Sequence, residues 1–306
     1  MAYSGQSEVM SEAFETLKRA WFHVRQNRYL WVIAFVIALA GGGAQGFSLW
    51  VQSPLSRGLT GIGPIHRIGE GINNFAHGNI AFWTLFIIMG FFVGLVVLAA
   101  GAFAQAAAIG AVSDIELGRP SGLRGAFECG KRHFGRFFVL VLGYLLVLAI
   151  FAVPSYLFWW TLGKKGFIFP CLGALTLGLA FAAVAVIAGI MFELSARYLV
   201  LEGHGILESV QMAGILFKDF WREVVLTWLY VLVITIMGTV TMAIVVSVLS
   251  VPLSWVFTTA DKHHNAFLIA LSILAIALAW AVASAFAGIF SITASSMWTL
   301  TFIDLK

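Results

Sequence analysis

Apolar positions along this chain fall in long unbroken runs, separated by short polar breaks. Spanning a bilayer takes roughly 20 apolar residues. Six runs reach or exceed that length, at about 29–51, 80–112, 137–162, 167–201, 224–249 and 266–301. Asp, Glu, Lys and Arg are absent from 137–163 and again from 166–192. The pattern predicts six transmembrane helices, and the sixth, over-long for a bilayer, is expected to tilt or project.

The polar breaks carry a second periodicity. In residues 9–28, Val9, Met10, Ala13, Phe14, Leu17, Trp21 and Val24 share a face at helical spacing. Glu12, Glu15, Lys18, Arg19 and Arg25 lie mostly away from it. That is the pattern of an interfacial amphipathic helix. Residues 113–136 repeat it, with Leu123, Ala126, Phe127, Gly130 and Phe134 set among Arg119, Arg124, Lys131, Arg132 and Arg136. A third amphipathic pattern follows the break Leu201-Glu202-Gly203-His204-Gly205. The Gly41–Gly43 triplet predicts a kink or a close helix crossing. Pro154 predicts a kink or an outer end of the third span, and Pro252 with Trp255 the exit of the fifth. Residues 52–79 and 258–265 are expected to be loops.

These elements rhyme in threes. Ala13-Phe14-Glu15-Thr16-Leu17-Lys18-Arg19 matches Ala126-Phe127-Glu128-Cys129-Gly130-Lys131-Arg132, and Ile206-Leu207-Glu208-Ser209-Val210-Gln211-Met212 keeps the acid and the apolar spacing. The ends of the even-numbered runs rhyme too: Asp114-Ile115-Glu116-Leu117-Gly118, Leu199-Val200-Leu201-Glu202-Gly203 and Phe302-Ile303-Asp304-Leu305. The expected fold is all-α, a single transmembrane domain over 1–306. It comprises three parallel hairpin repeats, about 9–118, 119–203 and 204–306, each preceded by an interfacial helix. Inverted repeats are the commoner mark of alternating-access transporters.

Composition narrows the partners. Of 306 residues, 61% are hydrophobic and 10% charged, against about 25% charged in a soluble domain. The net charge of +4 suits topology and anionic headgroups, not nucleic acid. Thirteen Lys and Arg fall on the side shared by both termini and five on the other, which predicts an inner (plasma) membrane protein with cytoplasmic termini. Nearly thirty polar and amphipathic residues precede the first run, unlike a cleaved signal peptide. Cys129 and Cys171 are isolated, without metal or redox spacing.

Candidate chemistry is sparse. The sequence holds no Gly-rich phosphate loop, no H-E-x-x-H and no carboxylate pair on one intramembrane helix face, so no catalytic, cofactor or metal site is expected. Glu193 and Arg197 stand at i and i+4 near a span end and can pair on one face. Gln45 and Gln105 lie within apolar runs, where an amide usually bonds to another helix. These four are the candidate structural or lipid-contact residues.

Residues 21–31, WFHVRQNRYLW, and 197–221, RYLVLEGHGILESVQMAGILFKDFW, resemble two motifs of a broad group of bacterial and archaeal six-span membrane proteins. That group is similar to the membrane domain fused to some glycerophosphodiester phosphodiesterases. The resemblance implies the six-span fold. It does not imply the activity, because the catalytic barrel takes about 250 soluble residues and the chain has no such stretch. Lys218-Asp219-Phe220-Trp221 departs from the group's basic-Asn-aromatic ending, and His204 sits between two glycines. The expectation is a non-enzymatic scaffold or accessory subunit in contact with lipids and other membrane subunits. The alternative is a transporter or lipid-handling protein with a cavity among the hairpins.

Overall fold

A computed structural model describes residues 2–42, 80–162, 168–262 and 266–306. Its helices, in order, are α1 Ala2–Gln26, α2 Tyr29–Ile37, α3 Ile80–Glu116, α4 Leu123–Leu162, α5 Ile168–Arg197, α6 Ile206–Asp219, α7 Trp221–Lys262 and α8 Ala266–Asp304. Single π-helical turns extend α2 over Ala38–Gly42 and α5 over Tyr198–Glu202. No strand occurs among the described residues. The helices α3, α4, α5, α7 and α8 are long and apolar enough to cross a membrane, and α2 is shorter. In lipid every backbone amide needs an internal partner, which a helix supplies. The molecule is a polytopic all-α membrane protein.

Several boundaries differ from the expected ones, each for a physical reason. Residues 113–136 are not a separate interfacial helix: α3 runs on to Glu116, and α4 joins the basic amphipathic stretch to the span without a break. Ala126, Gly130, Phe137, Leu140 and Val141 are buried. One inward stripe therefore serves both parts, and no change of direction is needed. By contrast, α1 and α2 part at Asn27 and Arg28, and α6 and α7 at Phe220, whose φ of −123° and ψ of 39° leave the helix. Helix α7 continues past Pro252 to Lys262, so residues 258–262 are helical and not loop. Pro154 likewise lies inside α4. Neighbouring groups in a membrane bundle can re-satisfy the carbonyl a proline frees.

Helix α1 packs through a different face from the one its large apolar residues mark. Thr16, Ala20 and Val24 are buried, while Phe14, Trp21 and Phe22 are exposed. Small side chains permit close approach, and the aromatic face is left for the headgroup region. The expected loop 52–79 and Gln45 lie outside the described residues.

The chain divides into two compact units. The first gathers Met1–His23, Gln105–Val231 and Ser295–Lys306. Its core joins Ile190, Leu194 and Tyr198 to Ala213, Leu216 and Val224 and to Trp298 and Phe302. The second gathers Val24–Ala104 and Leu232–Ala294. It is built on close backbone approaches. A Cβ on Gly288 of α8 would lie 2.5 Å from the Ala34 carbonyl oxygen of α2. One on Gly238 of α7 would lie 2.9 Å from Phe290 Cβ, and one on Gly101 of α3 2.9 Å from Ala40 Cβ. Ala40 belongs to the π-turn just where the glycine triplet predicted a kink or close crossing.

Candidate functional site

Among the described residues, the first unit holds several buried and paired charges. Glu193 and Arg197 lie one turn apart on the last part of α5 and form an ion pair. The Arg197 side chain is 1% exposed and the Glu193 side chain 33%. Arg197 Nη1 donates to the Glu193 carboxylate and to its carbonyl oxygen at 2.8 Å. Nη2 crosses to α8 and donates to Ser295, at 3.1 Å to the carbonyl and 3.3 Å to Oγ. Thr299 Oγ1 donates to the same carbonyl at 3.0 Å. A guanidinium offers five donors in a planar fork, and four contacts on two helices use Nη1 and Nη2. Nε is buried with no acceptor in reach. Around this clamp the core is apolar, with Tyr198 and Phe302 edge-to-face at 4.8 Å. Low polarity strengthens the paired contacts and raises the cost of an unpaired charge.

A second cluster fastens α1. Arg19 Nη1 donates to Glu116 Oε1 at 3.0 Å, and Nη2 pairs with Asp304. His23 Nε2 sits 2.7 Å from Glu116 Oε2. Thr16, one turn earlier, lies 3.4 Å from Arg19 Nη2 and donates to the Glu12 carbonyl at 3.0 Å. Glu116 and Asp304 close α3 and α8, where the negative end of the helix dipole disfavours a carboxylate. A cation from α1 offsets both. Burial by itself would lower the Arg19 pKa, but the hydrogen bonds and charges of Asp304 and Glu116 outweigh it and raise the guanidinium above its ordinary value.

The third cluster is the turn that closes α5. Gly203 has φ of 73°, left-handed backbone that glycine adopts without a Cβ penalty. Gly118 repeats this after α3, with φ of 64°. Glu202 pairs with Lys306, and Lys306 Nζ lies 5.0 Å over the Tyr198 ring. His204 Nε2 is 3.0 Å from Glu202 Oε2, and its Nδ1 is 3.0 Å from Glu208 Oε1. Glu208 Oε2 accepts the Gly205 amide at 3.3 Å and so caps the first turn of α6. From α4, Arg136 Nη1 donates to the Gly203 carbonyl at 3.2 Å.

Of the four candidate residues, Glu193 and Arg197 meet, Gln105 is half-buried between buried Ala104 and Ala106, and Gln45 lies outside the described residues. Arg197 is buried and turns to Ser295. Sequence reasoning missed Ser295, Arg19 and His23 as partners. A signal for the acids was present: Glu116, Glu202 and Asp304 are the rhyming residues at the even span ends, and each meets a cation. Among the described residues no three His, Cys, Asp or Glu converge as a metal set. The fold thus defines the class, an integral membrane protein of helical hairpins. No family model, curated protein or solved structure matches the chain.

Proposed function

We propose that the protein is a non-enzymatic scaffold or accessory subunit of a membrane complex. One observation carries this reading: in the first unit Arg19, Arg197 and Lys306 are engaged in joining helices to each other. Arg197 ties α5 to α8, Arg19 ties α1 to both α3 and α8, and Lys306 ties the end of α8 to the turn after α5. Groups held in this way serve rigidity, and a rigid frame is what a docking platform needs. The rhyming acids support three equivalent units, and the left-handed glycines Gly118 and Gly203 match in two of them. The positive-charge asymmetry supports an inner-membrane location with both termini cytoplasmic. The likeness to phosphodiesterase membrane domains fits a shared membrane frame.

The test is extraction with native lipid in polymer nanodiscs, followed by mass measurement and cross-linking. A stoichiometric membrane-protein partner is the expected result. A bare monomer across several extraction conditions overturns the proposal. A second reading, a transporter or lipid-handling protein, draws on the Glu193 carboxylate, one-third exposed within a span. It requires that Glu193→Gln and Gln105→Ala alter co-purifying lipid while leaving particle mass unchanged.

A further inference from the structure

We propose that the Glu202-Gly203-His204-Gly205 turn is a proton-operated latch, with the His204 imidazole as its moving charge. The argument begins with donor counting. A neutral imidazole has one N–H and one bare nitrogen; the imidazolium has two N–H groups. Both nitrogens of His204 face carboxylate oxygens at 3.0 Å, Glu202 on one side and Glu208 on the other. Nε2 is hydrogen-bonded to Glu202, while Nδ1 faces Glu208 as an ion pair, so only the protonated ring holds both. When the proton leaves, the bare Nδ1 faces the Glu208 carboxylate, and that contact is lost.

The surrounding groups make this a junction between elements. Glu202 uses its second oxygen on Lys306, at the end of the segment that follows α8. Glu208 uses its second oxygen on the Gly205 amide, at the start of α6. The charged and titratable groups facing the ring are Glu202, Glu208, Lys306 through Glu202, the Tyr198 ring at 6.1 Å, and Arg136 one residue away on the Gly203 carbonyl. Loss of the proton removes one positive charge from beside two carboxylates, one of which, Glu202, stands at a helix C-terminus where the dipole opposes it. The glycines on either side let the turn rearrange at little cost. The sign is therefore closed with the ring protonated and open with it neutral. Opening loosens the first turn of α6 while Glu202 keeps Lys306, so the latch would report the pH at that membrane face to whatever contacts α6. This goes beyond the scaffold reading and does not depend on it.

Hydrogen exchange by mass spectrometry, on the full chain in nanodiscs at pH 6 and pH 8 and corrected for intrinsic exchange, tests it. The wild type should lose protection over 203–210 by roughly three- to tenfold, the scale of one partly exposed charge-assisted hydrogen bond. His204→Arg, with a fixed fork of donors, should abolish the pH step and keep the protection. His204→Gln should abolish the step and stay unprotected. No step in the wild type overturns the latch. So does a step that survives in His204→Gln, which would assign it to another group such as His23 or His133.

Discussion

At the residue scale, the clamp on Arg197 gives a graded set of outcomes. Removing a buried guanidinium leaves the Ser295 carbonyl and the Glu193 carboxylate short of their donors. Arg197→Met should cost about 2–4 kcal/mol of stability, read as a lowered midpoint in denaturant titrations followed by tryptophan fluorescence. Arg197→Lys keeps the charge but not the fork and should fall between. Glu193→Gln should cost less, about 1–2 kcal/mol, because that side chain is partly open. An Arg197→Met midpoint equal to wild type would mean the clamp contributes nothing. The i,i+4 pair was legible in the sequence, since helical geometry alone puts residues four apart on one face. Ser295 was not, because its contact joins α5 to α8 across nearly a hundred positions of chain, and periodicity carries no information at that range.

At the element scale, the glycines separate into two kinds. Gly288 lies against backbone of α2, where nothing can rotate aside. Gly94, on α3, has nothing among the described residues within 4 Å of where a Cβ would stand. Gly288→Ala should destabilise by about 1–3 kcal/mol, while Gly94→Ala should be neutral or stabilise by up to about 1 kcal/mol. Equal thermal shifts for the two would contradict the packing described. Gly288 sits among small residues and Gly94 among Phe92, Val93 and Leu95, but the sequence pattern marked a close crossing only at Gly41–Gly43. The same limit explains α1. Hydrophobicity marked Phe14 and Trp21 as the membrane-interface face, and they are exposed, but it did not mark Thr16 and Ala20 as the small residues that pack against protein. The helices themselves were legible because length and apolarity are read one residue at a time. The joint between the amphipathic and spanning parts of α4 was not, because it depends on two stripes lining up.

At the scale of the whole molecule, α1 is attached by charge. Arg19→Ala removes contacts to both Glu116 and Asp304, and limited proteolysis within residues 1–28 should rise severalfold. Digestion unchanged from wild type would place the attachment elsewhere. Salt should act in the same direction, because these side chains are partly exposed and screened. Alkali should not. The Arg19 pKa is raised, so its contribution is complete below the ordinary guanidinium range and is lost only as pH rises past that raised value. Digestion that increased between pH 7 and 10 in a variant lacking His23 would count against the bridge. The continuity of α4 has a mechanical consequence. Forty residues at about 1.5 Å each make a rod of about 60 Å, twice the roughly 30 Å of the hydrocarbon layer. The breaks between α1 and α2 and between α6 and α7 are joints, and a load on α1 or α6 is absorbed there. A load on the basic end of α4 has no joint to stop it. It becomes torque on the span, so a partner or a charged bilayer pulling at Arg124 or Lys131 steers the tilt of the helix through the membrane.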